Sequence, residues 1–437
     1  MKQEFEAAKV IEPAEVSGSI VAPASKSMMQ RAVAAAMLSS GTTIIRNISS
    51  CDDAKTAIEI AKTLGAEIHK KRGTIQITGA KKPKSNELHC NESGLCMRMF
   101  IPIAALYTES TKKSRLSLYK LTASGSLLKR PVVIQENVLE QLGVKCKTTG
   151  AYTPVTVQGP INSGSITLHA SESSQFLTGL LMTLPLCDGD STLEVLSLRS
   201  RPYIDMTLFL LKKFGVIVQH ERIEENRDRF LIRGKQTYRA ITYNVECDWS
   251  AAAFLLVAGA IAGKITVSGL DMGSKQADKA IIKVLKSAGA RLKVDKTSIT
   301  VEKKELNAFE FDATDCPDLF PPLAVLACNC NGKSIIYGTD RLRHKESDRA
   351  TSLRTELGKM GALINVVENR MEIVGKKLSG GKVDSQQDHR IAMACAIAAL
   401  NSEHGVEITN WKCVSKSYPD FFKDLSAVAK IRATKKR

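Results

Sequence analysis

Several short segments of this 437-residue chain combine cations, hydroxyl groups and acids at the start of an apolar run. The first reads SKSMMQR, in which Lys26 and Ser27 open the segment and Arg31 follows Ser27 by four residues. N–H groups at a helix N-terminus are unpaired and attract anions, and residues four apart share a helix face. A solvated helix cap would explain one Ser-Lys pair. Because polar helix starts recur along the chain, we predict a phosphate or carboxylate site instead.

Two further polar helix starts lie in the same half of the chain. Gly94 allows close backbone approach, and Arg98 lies early in an otherwise apolar run, where an unpaired cation would be costly. Ser173, Ser174 and Gln175 open the next run with three hydrogen-bonding side chains, of which a plain N-cap would explain one. The segments LLKRPV and SRPYID add Arg130, Ser200, Arg201, Tyr203 and Asp205.

The second half of the chain adds acids to the cations. Asp318 opens an apolar run directly after Pro317, where a helix cap is the ordinary explanation. In the segment RLRHKESDR seven of nine residues are ionisable. An exposed helix start with surface salt bridges would explain these charges, although such salt bridges add little to the stability of a protein. The polar positions that follow are Lys345, Glu346, Arg349, Asp388, Arg390 and Lys416. Acids and bases beside enough cations to neutralise two anions are what group transfer with proton movement requires.

The elements that must position these residues repeat along the chain. An amphipathic segment that ends in Gly and continues into a β-branched pair occurs five times, with the glycines 72 to 78 residues apart. Apolar residues at three- and four-residue spacing predict a helix, the Gly its left-handed cap, and the alternation a strand. These glycines are Gly65, Gly143, Gly215, Gly289 and Gly361.

An apolar segment precedes each amphipathic helix, and a sixth follows the last one. These segments are RAVAAAMLSS, MRMFIPIAAL, FLTGLLMTLPL, SAAAFLLVAGAIAG, FPPLAVLAC and RIAMACAIAAL. Helices that are apolar on every face must be buried. We therefore predict six α/β repeats, the last truncated after its first helix. At this length two domains of three repeats each are expected, with residues 232–243 as the crossover.

Composition restricts the class of function. The net charge of +17 implies that the partner is nucleic acid or a small anionic substrate. Aromatic content of only 5% and the scarcity of basic runs argue against nucleic acid. The one basic run, IRATKKR at the C-terminus, is interpreted as a solvated terminus. No apolar run approaches the roughly 18 residues of a membrane helix, and MKQEFEAAKV lacks the apolar core of a signal peptide. Eleven scattered cysteines indicate reduced thiols in a cytoplasm, without zinc-site spacing.

Eight motifs together resemble one family. SKSMMQR, MR at 97–98, KRP, SSQFLT, PYID, KESDR, DHRIAM and KSYPDFF occur in the order and spacing of the 5-enolpyruvylshikimate-3-phosphate synthases, from about Ala22 to Phe422. The resemblance implies an α/β fold of two similar domains, each built as three βαβαββ units in an inside-out barrel with buried helices. It places residues 1–21 and 237–437 in the first domain and 22–236 in the second, with the active site in the cleft between them.

The resemblance also implies the reaction. The enolpyruvyl group of phosphoenolpyruvate moves to the 5-hydroxyl of shikimate 3-phosphate by addition and elimination, through a tetrahedral intermediate, on the route to chorismate and aromatic amino acids. No metal or organic cofactor is expected, because phosphoenolpyruvate carries its own leaving group. Shikimate 3-phosphate would be bound by Lys26, Ser27, Arg31, Ser173, Ser174, Gln175, Ser200, Tyr203, Asp318 and Lys345. Phosphoenolpyruvate would be bound by Lys26, Gly94, Arg130, Gln175, Arg349, Arg390 and Lys416.

Four of these residues would take part in the chemistry. Asp318 would act as base toward the 5-hydroxyl and later toward the methyl group. Glu346 and Lys26 are alternative donors of the proton to the methylene carbon, and Lys416 would assist phosphate departure. The expected partners are these two small molecules alone, with neither nucleic acid nor a membrane, and a monomer in the cytoplasm is expected.

Two other identities compete with this one. UDP-N-acetylglucosamine enolpyruvyltransferases share the fold and the donor, but they carry Lys-Asn where this chain has Lys26-Ser27. A basic, non-catalytic nucleic-acid binder would explain the charge, but not the acids placed among the cations. Three positions depart from the family pattern, with Leu95 in place of Thr, Met99 in place of Pro and Arg341 in place of an Asn.

Overall fold

The structure is a computed structural model, and it describes residues 8–108 and 118–431. Most of the basic run at the C-terminus (432–437) and the first seven residues of the N-terminal segment lie outside the described part.

The chain divides into two compact units. The terminal unit comprises Met1–Pro23 and Glu246–Arg437, and the inserted unit comprises Ala24–Val245. The second boundary lies nine residues beyond the expected one at 236. The cause is strand pairing, because the segments 238–239 and 242–244 each pair in parallel with a strand of the inserted unit.

Twelve α-helices occur in the described residues. They are α1 (Lys26–Leu38), α2 (Asp52–Thr63), α3 (Gly94–Ala105), α4 (Glu136–Gln141), α5 (Gln175–Thr183), α6 (Arg201–Lys213), α7 (Trp249–Ala262), α8 (Ile281–Ser287), α9 (Phe320–Cys328), α10 (Arg349–Lys359), α11 (His389–Ala399) and α12 (Phe421–Val428).

Strands alternate with these helices along the described chain. They are β1 (Lys9–Ile11), β2 (Ala14–Val21), β3 (Ser39–Ser40), β4 (Thr42–Arg46), β5 (Glu67–Lys71), β6 (Thr74–Thr78), β7 (Glu87–His89), β8 (Tyr119–Thr122), β9 (Lys145–Thr149), β10 (Tyr152–Gln158), β11 (Ser165–His169), β12 (Ser191–Leu196), β13 (Val218–Glu224), β14 (Arg227–Ile232), β15 (Tyr238–Arg239), β16 (Thr242–Asn244), β17 (Gly263–Ser268), β18 (Arg291–Val294), β19 (Ser298–Glu302), β20 (Glu310–Asp312), β21 (Lys333–Tyr337), β22 (Leu363–Val367), β23 (Arg370–Val374), β24 (Gly381–Asp384), β25 (Val406–Thr409) and β26 (Ala429–Ile431).

One sheet pattern recurs in both units. A first strand pairs in parallel with a second, and the two strands that complete the sheet are antiparallel. The inserted unit holds the orders β16-β4-β6-β5, β7-β8-β10-β9 and β11-β12-β14-β13. The terminal unit holds β26-β2-β17-β19-β18, β20-β21-β23-β22 and β24-β25-β1. The predicted α/β repeats of the βαβαββ type are confirmed.

The sixth repeat is not truncated after its first helix, and that expectation is wrong. Strand β25 and helix α12 follow α11, and the repeat instead lacks its own antiparallel strand pair. Strand β1 takes the place beside β25, with Lys9 opposite Ile408, and β26 pairs with β2. In the same way β16 supplies the first strand of the first inserted repeat, beside β4. Segments distant in sequence therefore complete both units.

The apolar helices are buried, as predicted. Every residue of α3, α9 and α11 is buried, and each unit has its own hydrophobic cluster. Helices α3 and α5 pack so closely that a Cβ on Gly179 would lie 2.6 Å from the carbonyl oxygen of Met99. The five glycines after the amphipathic helices all have φ between 79° and 102°, so the predicted left-handed caps are confirmed.

The eleven cysteines are free thiols, and ten of them are buried. This agrees with the expectation of reduced thiols. Within the described ranges, no helix has the length and apolarity that a membrane span requires.

Candidate active site

The start of α1 holds a lysine in a defined ion pair. Ser25 caps the helix, its Oγ accepting a hydrogen bond from the Met28 N–H at 3.4 Å. Lys26 is the first helical residue, and its Nζ lies 3.0 Å from Oδ2 of Asp53 at the start of α2. Asp53 was not predicted from the sequence, because an acid in the first turn of a helix is ordinarily explained by the helix dipole. The pair fixes the position of the Lys26 ammonium group.

Arg31 is a buried cation surrounded by neutral acceptors. Its side chain is 1% exposed and donates to Thr207 Oγ1 at 3.0 Å, to the Ser27 carbonyl at 3.0 Å and to the Tyr203 carbonyl at 3.3 Å. Burial lowers its pKa to about 10, against an opposing effect of Tyr203. Among the described residues no carboxylate pairs with it. A buried guanidinium without a counter-charge favours the binding of an anion.

Two more polar helix starts of the inserted unit converge at Gly94. A Cβ on Gly94 would lie 2.8 Å from Nη1 of Arg98 and 3.2 Å from Nη2 of Arg130. Arg98 Nη1 donates to Oε1 of Gln175 at 2.7 Å, and Arg98 Nη2 donates to the Pro131 carbonyl at 2.7 Å. Both arginines are buried. The starts of α3 and α5 and the residue before Pro131 thus form one cationic group.

The serines at the starts of α5 and α6 do not all act as caps. Ser173 Oγ accepts from the Gln175 N–H at 3.2 Å, but the N-cap residue of α5 is Ser174, so this bond is not the N-cap bond considered for one of the three polar residues. Ser174 is buried, and neither it nor Ser200 makes a side-chain cap bond. Ser200 has φ 57°, a left-handed conformation that is uncommon outside glycine and is often found at functional positions. Both hydroxyl groups fit a binding role better than a capping one.

The segment SRPYID divides between two environments. Arg201 forms an ion pair with the fully buried Asp228, and His220 Nε2 lies 2.8 Å from the same carboxylate. Asp205 is exposed on α6. In contrast, the Tyr203 carbonyl accepts from Arg31. Arg201 is therefore engaged with the sheet, while Ser200 and Tyr203 belong with the polar helix starts.

In the terminal unit a single arginine connects three carboxylates. Arg349 is 1% exposed, with Nη1 2.7 Å from Asp318 Oδ1, Nη2 2.6 Å from Glu346 Oε2 and Nε 2.7 Å from Asp388 Oδ2. Arg390 Nη2 lies 2.8 Å from Asp318 Oδ2. Burial alone would lower the pKa of Arg349, but Asp388, Glu346 and Asp318 raise it above its ordinary value. The alternative of an exposed, salt-bridged helix start is therefore wrong for Arg349 and Glu346.

Three helix starts bring this network together. Asp318 lies in a short 3₁₀ helix, Pro317–Leu319, directly before α9. The cap positions are Cys316 and Leu319 and the Asp318 carboxylate accepts from Arg349 and Arg390, so the cap explanation does not hold. Arg349 begins α10, and Asp388 caps α11 through the Arg390 N–H at 2.9 Å. Lys416 ends the 3₁₀ helix Trp411–Lys416, and its Nζ lies 3.5 Å from Oε1 of Glu346. Residues nearly 100 positions apart thus share one charged cluster.

The pKa values of Asp318 and Lys345 are both lowered, but by different causes. Burial would raise the pKa of Asp318, but Arg390, Arg349 and Lys345 hold it well below its usual range. Burial lowers the pKa of Lys345 to about 8, and Asp318 opposes this effect. At neutral pH Asp318 is therefore an ionised carboxylate among three cations. Such a group can accept a proton once its cationic partners are occupied elsewhere.

The two units differ in charge balance. The inserted unit groups four cations, Lys26, Arg31, Arg98 and Arg130, with the carboxylate of Asp53. The terminal unit groups four cations with three carboxylates, namely Lys345, Arg349, Arg390 and Lys416 with Asp318, Glu346 and Asp388. Among these residues cations outnumber carboxylates in both units. No cluster of three or more His, Cys, Asp or Glu side chains suited to a metal ion occurs in the described part of the chain.

Comparison with known proteins points to one family. The sequence profile of EPSP synthase (3-phosphoshikimate 1-carboxyvinyltransferase) matches residues 10–425. A 3-phosphoshikimate 1-carboxyvinyltransferase of Clostridium novyi (strain NT) is 40% identical over 432 residues, covering 96% of this chain and 97% of its own. The one of Clostridium kluyveri is 37% identical over 425 residues, covering 96% of each chain.

Solved structures support the fold. EPSP synthase from Acinetobacter baumannii superposes with a TM-score of 0.78 at 24% identity, covering 97% of this chain and 98% of its own. The enolpyruvyl transferase NikO from Streptomyces tendae superposes with a TM-score of 0.74 at 19% identity, covering 98% and 99%. At these identities the likeness concerns the fold.

Proposed function

The chain belongs to the EPSP synthase family, and we propose that its two cationic groups bind the two substrates of this family's reaction. The protein is a transferase that moves an enolpyruvyl group in the shikimate pathway. The donor is phosphoenolpyruvate, and the acceptor is the 5-hydroxyl of shikimate 3-phosphate. The observation that carries the assignment of the site is the set of buried cations near helix starts in both units, because a buried cation that is incompletely neutralised favours a bound anion.

Shikimate 3-phosphate would bind mainly through the inserted unit. Arg31, with neutral acceptors only, and Ser174 and Ser200, without cap bonds, support a phosphate and hydroxyl site. Asp318 and Lys345 of the terminal unit would contact the hydroxyl groups of the ring. The remaining residues of this set are Lys26, Ser27, Ser173, Gln175 and Tyr203.

Phosphoenolpyruvate would bind at the start of α3, where guanidinium groups lie beside Gly94. Because Gly94 has no side chain, the guanidinium groups of Arg98 and Arg130 lie close to the backbone at the start of α3, where a bound carboxylate or phosphate could contact them. Arg349 and Arg390 provide planar groups that can each hold an anion through two hydrogen bonds. Lys26, Gln175 and Lys416 complete this set.

Binding of phosphoenolpyruvate would also activate the base. Without substrate, Arg349 and Arg390 both bind the carboxylate of Asp318 and depress its pKa. An anion that takes over part of each guanidinium group would weaken these pairs. The pKa of Asp318 would then rise toward the range in which a carboxylate is an effective base. Asp318 would thus become competent only when the donor is present.

The proton movements balance over the two steps. In the addition, the 5-hydroxyl oxygen bonds to the central carbon of phosphoenolpyruvate, its proton passes to Asp318, and the methylene carbon gains a proton from Glu346 or Lys26. In the elimination, Asp318 first gives the hydroxyl proton to the departing phosphate, assisted by Lys416, and then accepts a proton from the methyl group as the bond between carbon and the phosphate oxygen breaks. That second proton returns to Glu346 or Lys26, so the hydroxyl proton ends on inorganic phosphate and each side chain regains its starting state. The pair between Lys416 and Glu346 at 3.5 Å supports a shared role of these two residues in proton transfer.

Release of inorganic phosphate tests this function. We expect phosphate release when the purified protein receives phosphoenolpyruvate and shikimate 3-phosphate together, and none with either alone. Release with UDP-N-acetylglucosamine in place of shikimate 3-phosphate would contradict the proposed acceptor. Salt-dependent DNA binding without phosphate release would favour the nucleic-acid binder instead. We further propose a cytoplasmic monomer, which light scattering during size-exclusion chromatography would check for the oligomeric state.

A further inference from the structure

Asp278 is a buried acid that the reaction scheme above does not use. It lies in a 3₁₀ helix, Ala277–Ala280, and is 1% exposed. Its Oδ2 accepts a hydrogen bond from Ser250 Oγ. Its Oδ1 is buried and has no hydrogen-bond partner among the described residues. A buried carboxylate oxygen without a donor is costly, so the position calls for an explanation.

The loop that carries Asp278 is anchored to the start of α7. Gln276 Oε1 accepts from the Trp249 N–H at 3.0 Å, and Gln276 Nε2 donates to the Cys247 carbonyl at 2.8 Å. Helix α7 packs against α9 and α11 in the core of the terminal unit. The starts of α9 and α11 carry Asp318 and Arg390. Asp278 thus lies beside the start of α7, the third of these buried helices, where it accepts from Ser250.

Charged and titratable groups from three elements interact electrostatically with Asp278. Asp318 before α9 and Asp248 at the cap of α7 disfavour its ionised form, Arg390 of α11 favours it, and Asp278 in turn raises the pKa of Cys316 beside Asp318. The Nε of Arg390 is buried without a hydrogen-bond partner among the described residues, like Oδ1 of Asp278. Burial raises the pKa of Asp278 to about 7, with Asp318 adding to the effect and Arg390 opposing it. Asp278 and Arg390 therefore influence each other's charge inside the active-site network.

We propose that Asp278 is a positioning residue of the active site. While the Asp278 carboxyl group is neutral, the guanidinium group of Arg390 is available to phosphoenolpyruvate. Once Asp278 is ionised, its carboxylate competes with phosphoenolpyruvate for that guanidinium group. This inference rests on the assignment of Arg390 to phosphoenolpyruvate under the proposed function. As the pH rises through the pKa of Asp278, its proton is lost and a second carboxylate faces Arg390. The affinity for phosphoenolpyruvate therefore falls with rising pH over this interval, while shikimate 3-phosphate is affected less.

The KM for phosphoenolpyruvate as a function of pH tests the inference. For the wild-type protein we expect this KM to rise about three- to tenfold between roughly pH 6 and pH 8.5, as an interaction of about 0.5 to 1 pKa unit would produce. Asp278→Asn keeps the shape and can still accept from Ser250, but it does not titrate, so its KM should follow a flatter profile. The phosphate groups of the substrates titrate equally with both proteins, so the difference between the profiles isolates Asp278.

Two further variants make the test specific. Ser250→Ala removes a hydrogen bond that favours the ionised form of Asp278, and it should move the rise of KM to higher pH. Asp295→Asn is the matched control, because it removes the same charge from an exposed surface pair with Lys293 at 3.6 Å. It should reproduce the wild-type profile. The proposal would be overturned if the KM of Asp278→Asn for phosphoenolpyruvate rose with pH as much as that of the wild-type protein. It would also be overturned if Ser250→Ala and the control Asp295→Asn had the same dependence of KM on pH.

Infrared spectroscopy separates this inference from the proposed function. A protonated carboxylic acid has its own C=O stretching band, which should disappear between about pH 6 and pH 8.5 in the wild-type protein and be missing from Asp278→Asn. The same band in both proteins would show that the proton is elsewhere. If no phosphate were released at all, the proposed function would fail, but the band would still decide the protonation of Asp278.

Discussion

Buried arginines are neutralised differently in the two units. Arg349 has three carboxylate partners within 2.7 Å, whereas Arg31 bonds only to a hydroxyl group and two carbonyl oxygens. A fully paired arginine has a raised pKa and serves to orient its partners. An arginine without a counter-charge has a lowered pKa and gains most from a bound anion. This contrast agrees with Arg31 binding phosphate and Arg349 organising the acids.

Asp318→Asn should separate chemistry from binding. The amide cannot accept the proton, so we expect kcat to fall by about 10² to 10⁴, the usual range for a general base. Because Arg349 and Arg390 lose a competing carboxylate, the KM for phosphoenolpyruvate should not rise. Phosphate release measures both quantities. Asp340→Asn makes the same charge change at an exposed position and should behave as wild type. A kcat for Asp318→Asn equal to that of this control would remove Asp318 from the mechanism.

Lys26→Ala should impair both binding and turnover. It deletes a cation assigned to both substrates, and we expect kcat/KM to fall at least about 100-fold, as for the loss of a buried charged hydrogen bond of about 3 kcal/mol. It also leaves the buried Asp53 without its 3.0 Å partner, so Tm should fall. Lys26→Arg, which keeps the charge, should restore most of the Tm but not the kcat. A fully active Lys26→Ala would contradict the anion site at α1.

At the level of elements, buried helices explain where the polar residues lie. Helices α7, α9 and α11 are apolar along their length and pack against one another, so a polar side chain can reach solvent or ligand only at a helix end. The N-terminal end also presents unpaired N–H groups and a positive dipole. The repeat therefore concentrates anion-binding residues at helix starts.

Gly94→Ala should weaken phosphoenolpyruvate binding without unfolding the protein. The new Cβ would lie 2.8 Å from Nη1 of Arg98, so the guanidinium groups of Arg98 and Arg130 must move. We expect the KM for phosphoenolpyruvate to rise about tenfold or more, which corresponds to about 1.4 kcal/mol. Gly358→Ala is the control, because Gly358 lies in α10 and a Cβ there meets nothing within 4 Å. It should keep the wild-type KM and gain up to about 1 kcal/mol in stability.

For the whole molecule, each unit is completed by a segment that joins it from a distant part of the sequence. In the inserted unit β16 pairs with β4, and in the terminal unit β1 pairs with β25. Each unit also has a separate hydrophobic cluster. An autonomous core and a complete set of sheets are what independent folding requires.

Fragments test the boundary of the inserted unit. Residues 24–245 should fold as an isolated fragment with cooperative urea unfolding. Residues 24–236 lack β15 and β16 together with the buried Tyr238, Tyr243 and Val245. At about 1.5 to 3 kcal/mol for each fully buried large side chain, this loss should cost at least about 4 kcal/mol and expose the edge of β4. The fragment 24–250 is a control for length. Equal stability of the fragments ending at 236 and 245 would contradict this boundary.

Much of the fold could be predicted because its signals are local. The six apolar helices, the amphipathic helices and their glycine caps depend on residues a few positions apart, and all of them are present. The closure of the sheets by β1 and β16 was not predicted. Pairing between segments separated by nearly 200 residues or more leaves no periodic signal in either segment.

The sequence by itself determined the repeats, the helix starts with their cations and acids, and, through the motif order, the enolpyruvyl transferase family. Only the tertiary structure decided which charges meet. It pairs Lys26 with Asp53 and Arg201 with Asp228, and it couples the charge of Asp278 to that of Arg390. The physical reason is that helix and strand formation depend on neighbouring residues, whereas the pairing and pKa of a buried charge depend on every element packed around it.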